Sequence, residues 1–598
     1  MRFSALAQYL ERLEATASRN EMTKILAEVY KKADGEEVEK LSYLLLGELL
    51  PPYRGMEFQI AEKIMIQVLA QVYGASRESV LRAFKKQGDL GNVAYELSGK
   101  KNSRHQGSPT VTEVYDRMYG IAGDAGTGSQ ERKIHAMAKL FAVLDRVSAK
   151  YVARIPVGKM RLGFSEMTLL DALSLMEKGD KSMRPPIERA YNVTADIGAI
   201  AARVKRGGLA SLARLQAAPG TPIRPSLAER VGRVADAMEK AGPVVGLEEK
   251  LDGLRMQAHI WEDGGERRVM LFSRNLENTT AMFPEIVRAL RQLAVHSAIL
   301  DGEAIGYDSA TGVFAPFQET IQRKRKHDVA AFAKKIPLSM FVFDILYLDG
   351  KSLLEVPFRD RRKILERILP KKNNTLRLTS YEETGDPARV EEALAESVNK
   401  GLEGLVAKNL GAPYQPGSRG FHWVKLKATT AALGNLREGG IKGLPDTIDC
   451  VVMGAYRGKG KRAAFGVGGL LLGVRGKGGD YYSLSRLGTG LSDDIFREAH
   501  RRMKAHESKE KPKEYVADDE VEPDIWLRPS LVVEILADEI TRSPRHTAGR
   551  PARAGGGKDG TGYSLRFPRL VRFRDDKKPE DATTDTEAAQ MFKMQKKK

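Results

Sequence analysis

The sequence predicts a multidomain protein with an all-α first part, a mixed α and β middle and a β-rich end. Three observations predict it. Apolar residues recur at helical spacing through roughly the first two hundred positions, prolines break that pattern at 216–225, and short apolar runs bounded by turn residues follow.

The helical part comes first. Phe3, Leu6, Leu10 and Leu13 recur every three or four positions, as one apolar helix face requires. Ile25, Leu26 and Val29 repeat that spacing, as do Ile134, Met137, Leu140 and Phe141. Pro51-Pro52 and Gly126-Thr127-Gly128-Ser129 mark turns. The stretch QAAPGTPIRP cannot continue a helix, because proline lacks the amide donor and clashes with the preceding turn, so 216–225 reads as a linker. Beyond it VVGLEEKL, HSAILDGEAIG and LSMFVFDILYLDG read as strands between helices. DCVVMGAY and GVGGLLLGV read as strands after residue 446, with the basic, glycine-rich RGKGKRAAF between them. PARAGGGKDGTG reads as a flexible loop and the ending KMQKKK as disordered.

Composition narrows the function classes. At 598 residues the chain has room for roughly three to five domains. The absence of a run of about 18 apolar residues argues against a membrane span. MRFSALAQYLERLE carries acids at helical spacing and does not read as a secretory signal. A single cysteine, Cys450, excludes an intramolecular disulfide and a cysteine-rich zinc site. A cytoplasmic location is expected, nucleoid-associated in a prokaryote. The 97 Lys and Arg against 78 Asp and Glu give a formal charge of +19. Such an excess favours a polyanionic partner, because each neutralised phosphate releases counterions; a solvated basic surface is the alternative.

No HExxH or CxxC is present, and Gly350-Lys351-Ser352 lacks the first glycine of a P-loop, because Ile345 occupies that position. The central candidate is Glu248-Glu249-Lys250-Leu251-Asp252-Gly253-Leu254-Arg255. Alone it also fits a charged strand end with Gly253 supplying a turn. Downstream come Ser273-Arg274, Asp301-Gly302-Glu303, Phe343-Asp344, Glu403-Gly404-Leu405-Val406-Ala407-Lys408 and Trp423-Val424-Lys425-Leu426-Lys427. This ordered set resembles the covalent nucleotidyltransferase superfamily of ATP-dependent ligases and mRNA capping enzymes. Arg566-Phe567-Pro568-Arg569 and Arg574-Asp575-Asp576-Lys577 resemble its last motif. Pro222-Ile223-Arg224-Pro225, Ala190-Tyr191-Asn192, Gly158-Lys159-Met160-Arg161-Leu162-Gly163 and Pro579-Glu580-Asp581-Ala582-Thr583-Thr584 resemble the archaeal and eukaryotic replicative DNA ligases.

The resemblance covers nearly the whole chain. It implies an all-α DNA-binding domain over 1–215, an α+β nucleotidyltransferase (adenylation) domain over 216–440 and a β OB-fold domain with a C-terminal tail over 441–598, together encircling a nicked duplex. It implies a monomeric DNA ligase using ATP in replication, repair and recombination. Lys250 attacks the α-phosphate, the AMP passes to a 5′-phosphate at the nick, and the 3′-hydroxyl then displaces AMP. A lysine attacks only as the neutral amine, and a reference pKa of about 10.4 leaves little of it neutral at pH 7. Arg255 is the expected nearby cation; a divalent metal would help more.

Further roles are implied residue by residue. Glu248 lies near the adenine, its backbone contributing recognition, and Phe343 stacks on the base. Arg255 and Arg274 fork onto sugar or phosphate, and Glu303 takes the ribose hydroxyls. Glu403 holds Mg²⁺ or another divalent cation. Arg419, Lys425 and Lys427 surround the α-phosphate, and Arg574 and Lys577 reach the pyrophosphate when the OB domain closes. Lys159 and Arg161 are the candidate DNA contacts, with a solvated helix end as their alternative.

The chain also departs from the family. KKNSRHQGSP lacks the aromatic pair of a sliding-clamp peptide, and glycine-rich stretches around Gly439-Gly440 and at 555–560 resemble insertions. An RNA ligase or capping enzyme and a decayed DNA-binding scaffold are the rival readings; the single cysteine argues against an NAD-dependent ligase with a four-cysteine zinc module.

Overall fold

Periodicity at three to four residues becomes a run of helices from Phe3–Glu14 to Ile197–Gly207 in the computed structural model. The structure describes residues 1–100, 109–158, 160–308, 311–370, 373–400, 402–417, 419–427, 447–458, 466–476, 478–488, 493–550 and 560–596. The chain divides into two compact units, Met1–Leu433 and Gly434–Lys598. The expected boundary at 440/441, Gly439-Gly440, and most of KKNSRHQGSP, RGKGKRAAF and PARAGGGKDGTG lie outside the described residues.

Local chemistry sets the helix ends. Ser18, Ser76, Asp145 and Asp196 accept hydrogen bonds from amides of the first turns, and Thr110 with Glu113 forms a reciprocal capping box. Phe3, Leu6, Leu10 and Leu13 face one core with Ile25, Leu26, Val29, Met137, Leu140 and Phe141. A buried guanidinium crosses that core: Arg154 lies 2.9 Å from Glu14 and 2.7 Å from Asp89. Among the described residues no helix is long and apolar enough to cross a membrane.

Two sheets follow. The strands are β1 (Leu227–Val231), β2 (Val245–Glu249), β3 (Leu254–Asp263), β4 (Glu266–Ser273), β5 (Ala298–Asp308), β6 (Val313–Phe314), β7 (Leu338–Leu348), β8 (Lys351–Ser352), β9 (Leu376–Leu378), β10 (Tyr381–Thr384), β11 (Gly404–Asn409) and β12 (Arg419–Lys427). One sheet is five-stranded in the order β1-β12-β11-β2-β10; the other is seven-stranded, with β4-β3-β5-β7-β8 as its spine. Ile299, Leu346, Tyr414 and Trp423 form a small core with Phe343 and Val406, joining residues of both sheets.

Residues 216–225, read as a linker, form a packed strap. Gln257 on β3 donates to the Ile223 carbonyl at 3.0 Å and accepts from its amide at 2.8 Å. His259 Nδ1 accepts from the Gly220 amide at 3.1 Å. The Arg224 amide donates to the Asn192 carbonyl at 2.8 Å, and its guanidinium lies 4.9 Å from the centre of the Tyr191 ring. Ala190-Tyr191-Asn192 is thus where the helices hold the strap.

The second unit contains β13 (Ile448–Tyr456), β14 (Gly469–Arg475), β15 (Tyr481–Leu487), β16 (Glu507–Ser508), β17 (Tyr515–Val516), β18 (Ile525–Leu527), β19 (Val532–Leu536), β20 (Glu539–Ser543), β21 (Gly562–Arg566) and β22 (Arg569–Phe573). Its main sheet runs β16-β18-β13-β14-β15-β17, with β19 bridging β13 to β22. The ending departs from expectation: KMQKKK is not wholly disordered, because the helix Asp585–Lys596 continues through its first four residues. Ala588 and Phe592 are buried, and Phe592 packs on Tyr563 with ring centres 4.8 Å apart, which anchors that helix.

Candidate active site

Strand alternation builds the site. Successive side chains of a strand point to opposite faces, so Glu248 and Lys250 share a face, as do Lys425 and Lys427. On β11, Val406 pairs with both Glu248 and Lys425, which brings these faces into one row across the sheet. Lys250 follows β2 directly; its amide donates to the Gly404 carbonyl at 2.8 Å, and the Glu403 amide donates back to the Lys250 carbonyl at 3.2 Å. The nucleophile candidate and the motif carboxylate are therefore cross-strand neighbours.

Their side chains meet. Lys250 Nζ lies 2.7 Å from Glu403 Oε2, and Lys427 Nζ lies 3.0 Å from the same oxygen. Burial works to raise the Glu403 carboxyl, but Lys250 and then Lys427 outweigh it and hold the group at about 2. A carboxylate kept ionised in this way suits a hard divalent cation completed by substrate phosphates. Among the described residues no cluster of three or more acidic, histidine or cysteine side chains could hold a metal alone. Glu403 is the carboxylate of this row that could take such a cation.

The second sheet supplies the opposite wall. Arg255 on β3 pairs in register with Glu303 on β5. Burial pushes the Glu303 carboxyl up to about 7 against the pull of Lys250 and Arg255. Arg255 is half-buried and ion-paired to Asp301. It lies 2.8 Å from Asp301 Oδ2 and donates to the Ser226 carbonyl at 2.6 Å. Tyr414 donates to Asp301 Oδ2 at 2.8 Å. Phe343 on β7 is half-buried, edge-on to Trp423 with ring centres 5.8 Å apart.

Two glycines are required by close approach. A Cβ on Gly253 would fall 2.5 Å from the Ala304 carbonyl and 3.1 Å from Glu303 Cγ. Its φ is not positive, so the motif glycine serves packing against β5 rather than a turn. At Gly404 φ is +137°, and a Cβ would sit 2.1 Å from the Leu426 carbonyl.

The remaining candidates are placed as follows. Lys425 Nζ donates to the Ala228 carbonyl at 3.0 Å. The Glu248 side chain is buried between Lys408 at 2.6 Å and Arg362 at 3.2 Å. Arg274 is exposed just past β4. Arg419 begins β12, and its side chain lies outside the described residues, as does Lys159. Exposed Arg161 has a φ of +59° and donates to the Gly88 carbonyl. In the second unit Lys577 Nζ lies 2.6 Å and Arg574 3.1 Å from Asp449. Asp301, Asp344 and Lys408 lie inside the motifs, but nothing in their spacing signals the ion pairs they form with Arg255, Arg361 and Glu248. Arg361, Arg362 and Tyr414 lie in no motif, so spacing gave no signal for them.

Three family models match the chain. They are described as DNA ligase N terminus over residues 2–174, ATP dependent DNA ligase domain over 225–427 and ATP dependent DNA ligase C terminal region over 463–577. A protein of Dictyoglomus thermophilum named Probable DNA ligase is 41% identical over 604 residues, covering 100% of this chain and 98% of that protein. A DNA ligase of Thermoplasma volcanium is 38% identical over 605 residues, covering 100% of this chain and 99% of that one. The solved structure titled Pmar-Lig_PreS3 shares the fold at a TM-score of 0.55 and 18% identity, over 95% of this chain and 99% of that chain.

Proposed function

The chain belongs to the ATP-dependent DNA ligase family, and from that premise we propose that Lys250 is the residue that carries AMP. Its parts are a helical DNA-binding domain, a central adenylation domain and a C-terminal OB-fold domain. The observation that supports Lys250 most directly is its convergence with Lys427 on Glu403, at 2.7 Å and 3.0 Å, on one face of the β2–β11–β12 sheet.

In the proposed first step Lys250 Nζ, as the neutral amine, forms a bond to the α-phosphorus of ATP, and the bond to pyrophosphate breaks. The phosphoramidate then gives its AMP to the 5′-phosphate at a nick, restoring the amine. The 3′-hydroxyl attacks the activated 5′-phosphate, forming the phosphodiester and releasing AMP. Such transfers depend on positioning and charge stabilisation. Lys427 and Lys425 supply cations beside the nucleophile, Glu303 takes the ribose hydroxyls, Phe343 takes the base, and Arg255, fixed by Asp301, orients sugar or phosphate. Arg274 and Arg419 add contacts to the nucleotide, and Arg574 and Lys577 serve the pyrophosphate. Mg²⁺ held by Glu403 would offset triphosphate charge.

Lys159 and Arg161 contact the phosphate backbone of nicked duplex DNA in this reading. The enzyme acts as a monomer in replication, repair and recombination, in the cytoplasm. Docking to a sliding clamp, if used, needs a peptide other than the stretch at 100–109.

Incubation with α-labelled ATP tests the central assignment. The parent chain takes one AMP, mapped by mass spectrometry to Lys250, and Lys250→Ala takes none. A labelled Lys250→Ala protein would place the nucleophile elsewhere.

A further inference from the structure

Arg362 belongs to no motif, yet it reaches the nucleotide strand. It sits on the helix Phe358–Ile368 and is 5% exposed. Its Nη1 donates to Glu248 Oε1 at 3.2 Å and to Thr379 Oγ1 at 3.0 Å, and its Nη2 donates to the Thr379 carbonyl at 2.8 Å. The guanidinium lies 4.6 Å from the centre of the Tyr381 ring. The other Glu248 oxygen lies 2.6 Å from Lys408 Nζ, which also donates to the Phe343 carbonyl at 3.0 Å. Glu248 and Lys408 are 3% and 1% exposed.

These contacts form one chain across two sheets. Thr379 and Arg362 hold Glu248 from one side. Lys408 holds it from the other and carries the link to the backbone of Phe343 on β7. β2 leads into Lys250, and Phe343 is the base-stacking residue of the proposed function. The spacing between these two elements is therefore set by buried, charge-assisted bonds whose partners have no water to replace them. With both carboxylate oxygens engaged, the Glu248 side chain is not free to pair with a base.

We propose that Arg362 is a positioning residue that, jointly with Lys408, clamps Glu248 and so fixes the width of the purine slot between β2 and Phe343. The proposal rests on Lys250 being the adenylated residue. Removing Arg362 leaves Glu248 and Lys408 as a neutral buried pair, and Glu366, 3.1 Å from the guanidinium and exposed, keeps its charge in solvent, so Arg362→Met strands no buried charge. The slot loses its outer anchor and loosens. Binding of the base suffers while the groups around the α-phosphate stay in place.

The experiment uses the full chain, with single-turnover self-adenylation by ATP and by GTP and thermal melting as the fold check. Arg362→Met raises the apparent KM for ATP about 10-fold, leaves kcat within about 3-fold, and lowers the preference for ATP over GTP about 10-fold. Arg362→Lys recovers part of the KM, because it keeps the charge without the fork that spans Glu248 and Thr379. Should Arg362→Met fail to fold, the isosteric Thr379→Val removes one of the guanidinium's acceptors, and a rise of about 3-fold in KM is expected. A well-folded Arg362→Met protein with unchanged KM and base preference overturns the proposal, as does a loss confined to kcat. An unchanged Thr379→Val overturns it where Arg362→Met does not fold. A parent chain that takes no AMP on Lys250 instead removes the reading of the site itself.

Discussion

Glu303 shows what a single residue's surroundings can do. Burial disfavours its charged form, and Asp301 and Asp252 add to that effect, while Lys250 and Arg255 favour the charge; the carboxyl settles at about 7. In the unfolded chain it titrates at about 4.3. Between these values the folded state holds a proton that the unfolded state has shed, so stability falls as pH rises through this window. Glu303→Gln removes the penalty. Urea unfolding at pH 8 should find that variant more stable by about 3–4 kcal/mol, and the gain should vanish near pH 4. A gain of equal size at both pH values would mean that the ionisation is not responsible. The Asp-Gly-Glu string made this position visible in the sequence. Its neighbours were not visible, because Arg255 and Asp301 are 46 positions apart and meet only through the pairing of β3 with β5.

At the scale of elements, the strap shows where sequence pattern gives out. Three prolines within 216–225 keep that segment out of helix, although the helices already stop at Gly207 and Leu212. They carry no sign that alternate residues of β3, namely Arg255, Gln257 and His259, bind the backbone at Ser226, Ile223 and Gly220 in turn. Strand alternation explains the spacing once the pairing is known, but nothing local announces it. The same holds for Gly253, where the motif alone also fits a turn and the approach of β5 leaves no room for a Cβ. The helical periodicity of the first part and the apolar runs of β5, β7, β13 and β14 needed no such knowledge, because helical spacing marks one buried face and a continuous apolar run marks a strand buried on both. Gln257→Leu strands a buried amide and a buried carbonyl of Ile223, at about 1–3 kcal/mol for each group. Hydrogen exchange measured by mass spectrometry should show the peptide spanning 216–226 exchanging at least about 10-fold faster than in the parent chain. Unchanged protection would show that the strap is held by something other than Gln257.

At the scale of the whole molecule, the formal charge of +19 is a statement about its partner. A ligase must hold a nick of any sequence, which backbone phosphate contacts achieve and base contacts would hinder. Arg161 is the contact proposed for this. At a left-handed φ of +59° Arg161 donates to the Gly88 carbonyl, and its Nε lies 3.5 Å from Asp89, which buried Arg154 also engages. Affinity for a nicked duplex should fall linearly with the logarithm of salt concentration, by a slope of about 0.9 for each phosphate neutralised. Arg161→Ala removes one such contact. Titrations across a range of salt should give a slope shallower by about 0.9, with the loss of affinity the same for unrelated duplex sequences. A weakened protein with an unchanged slope would mean that Arg161 shapes the turn through Gly88 and does not meet phosphate. A loss that depended on sequence would mean that it reads base edges, and the picture of binding indifferent to sequence would fail at that residue.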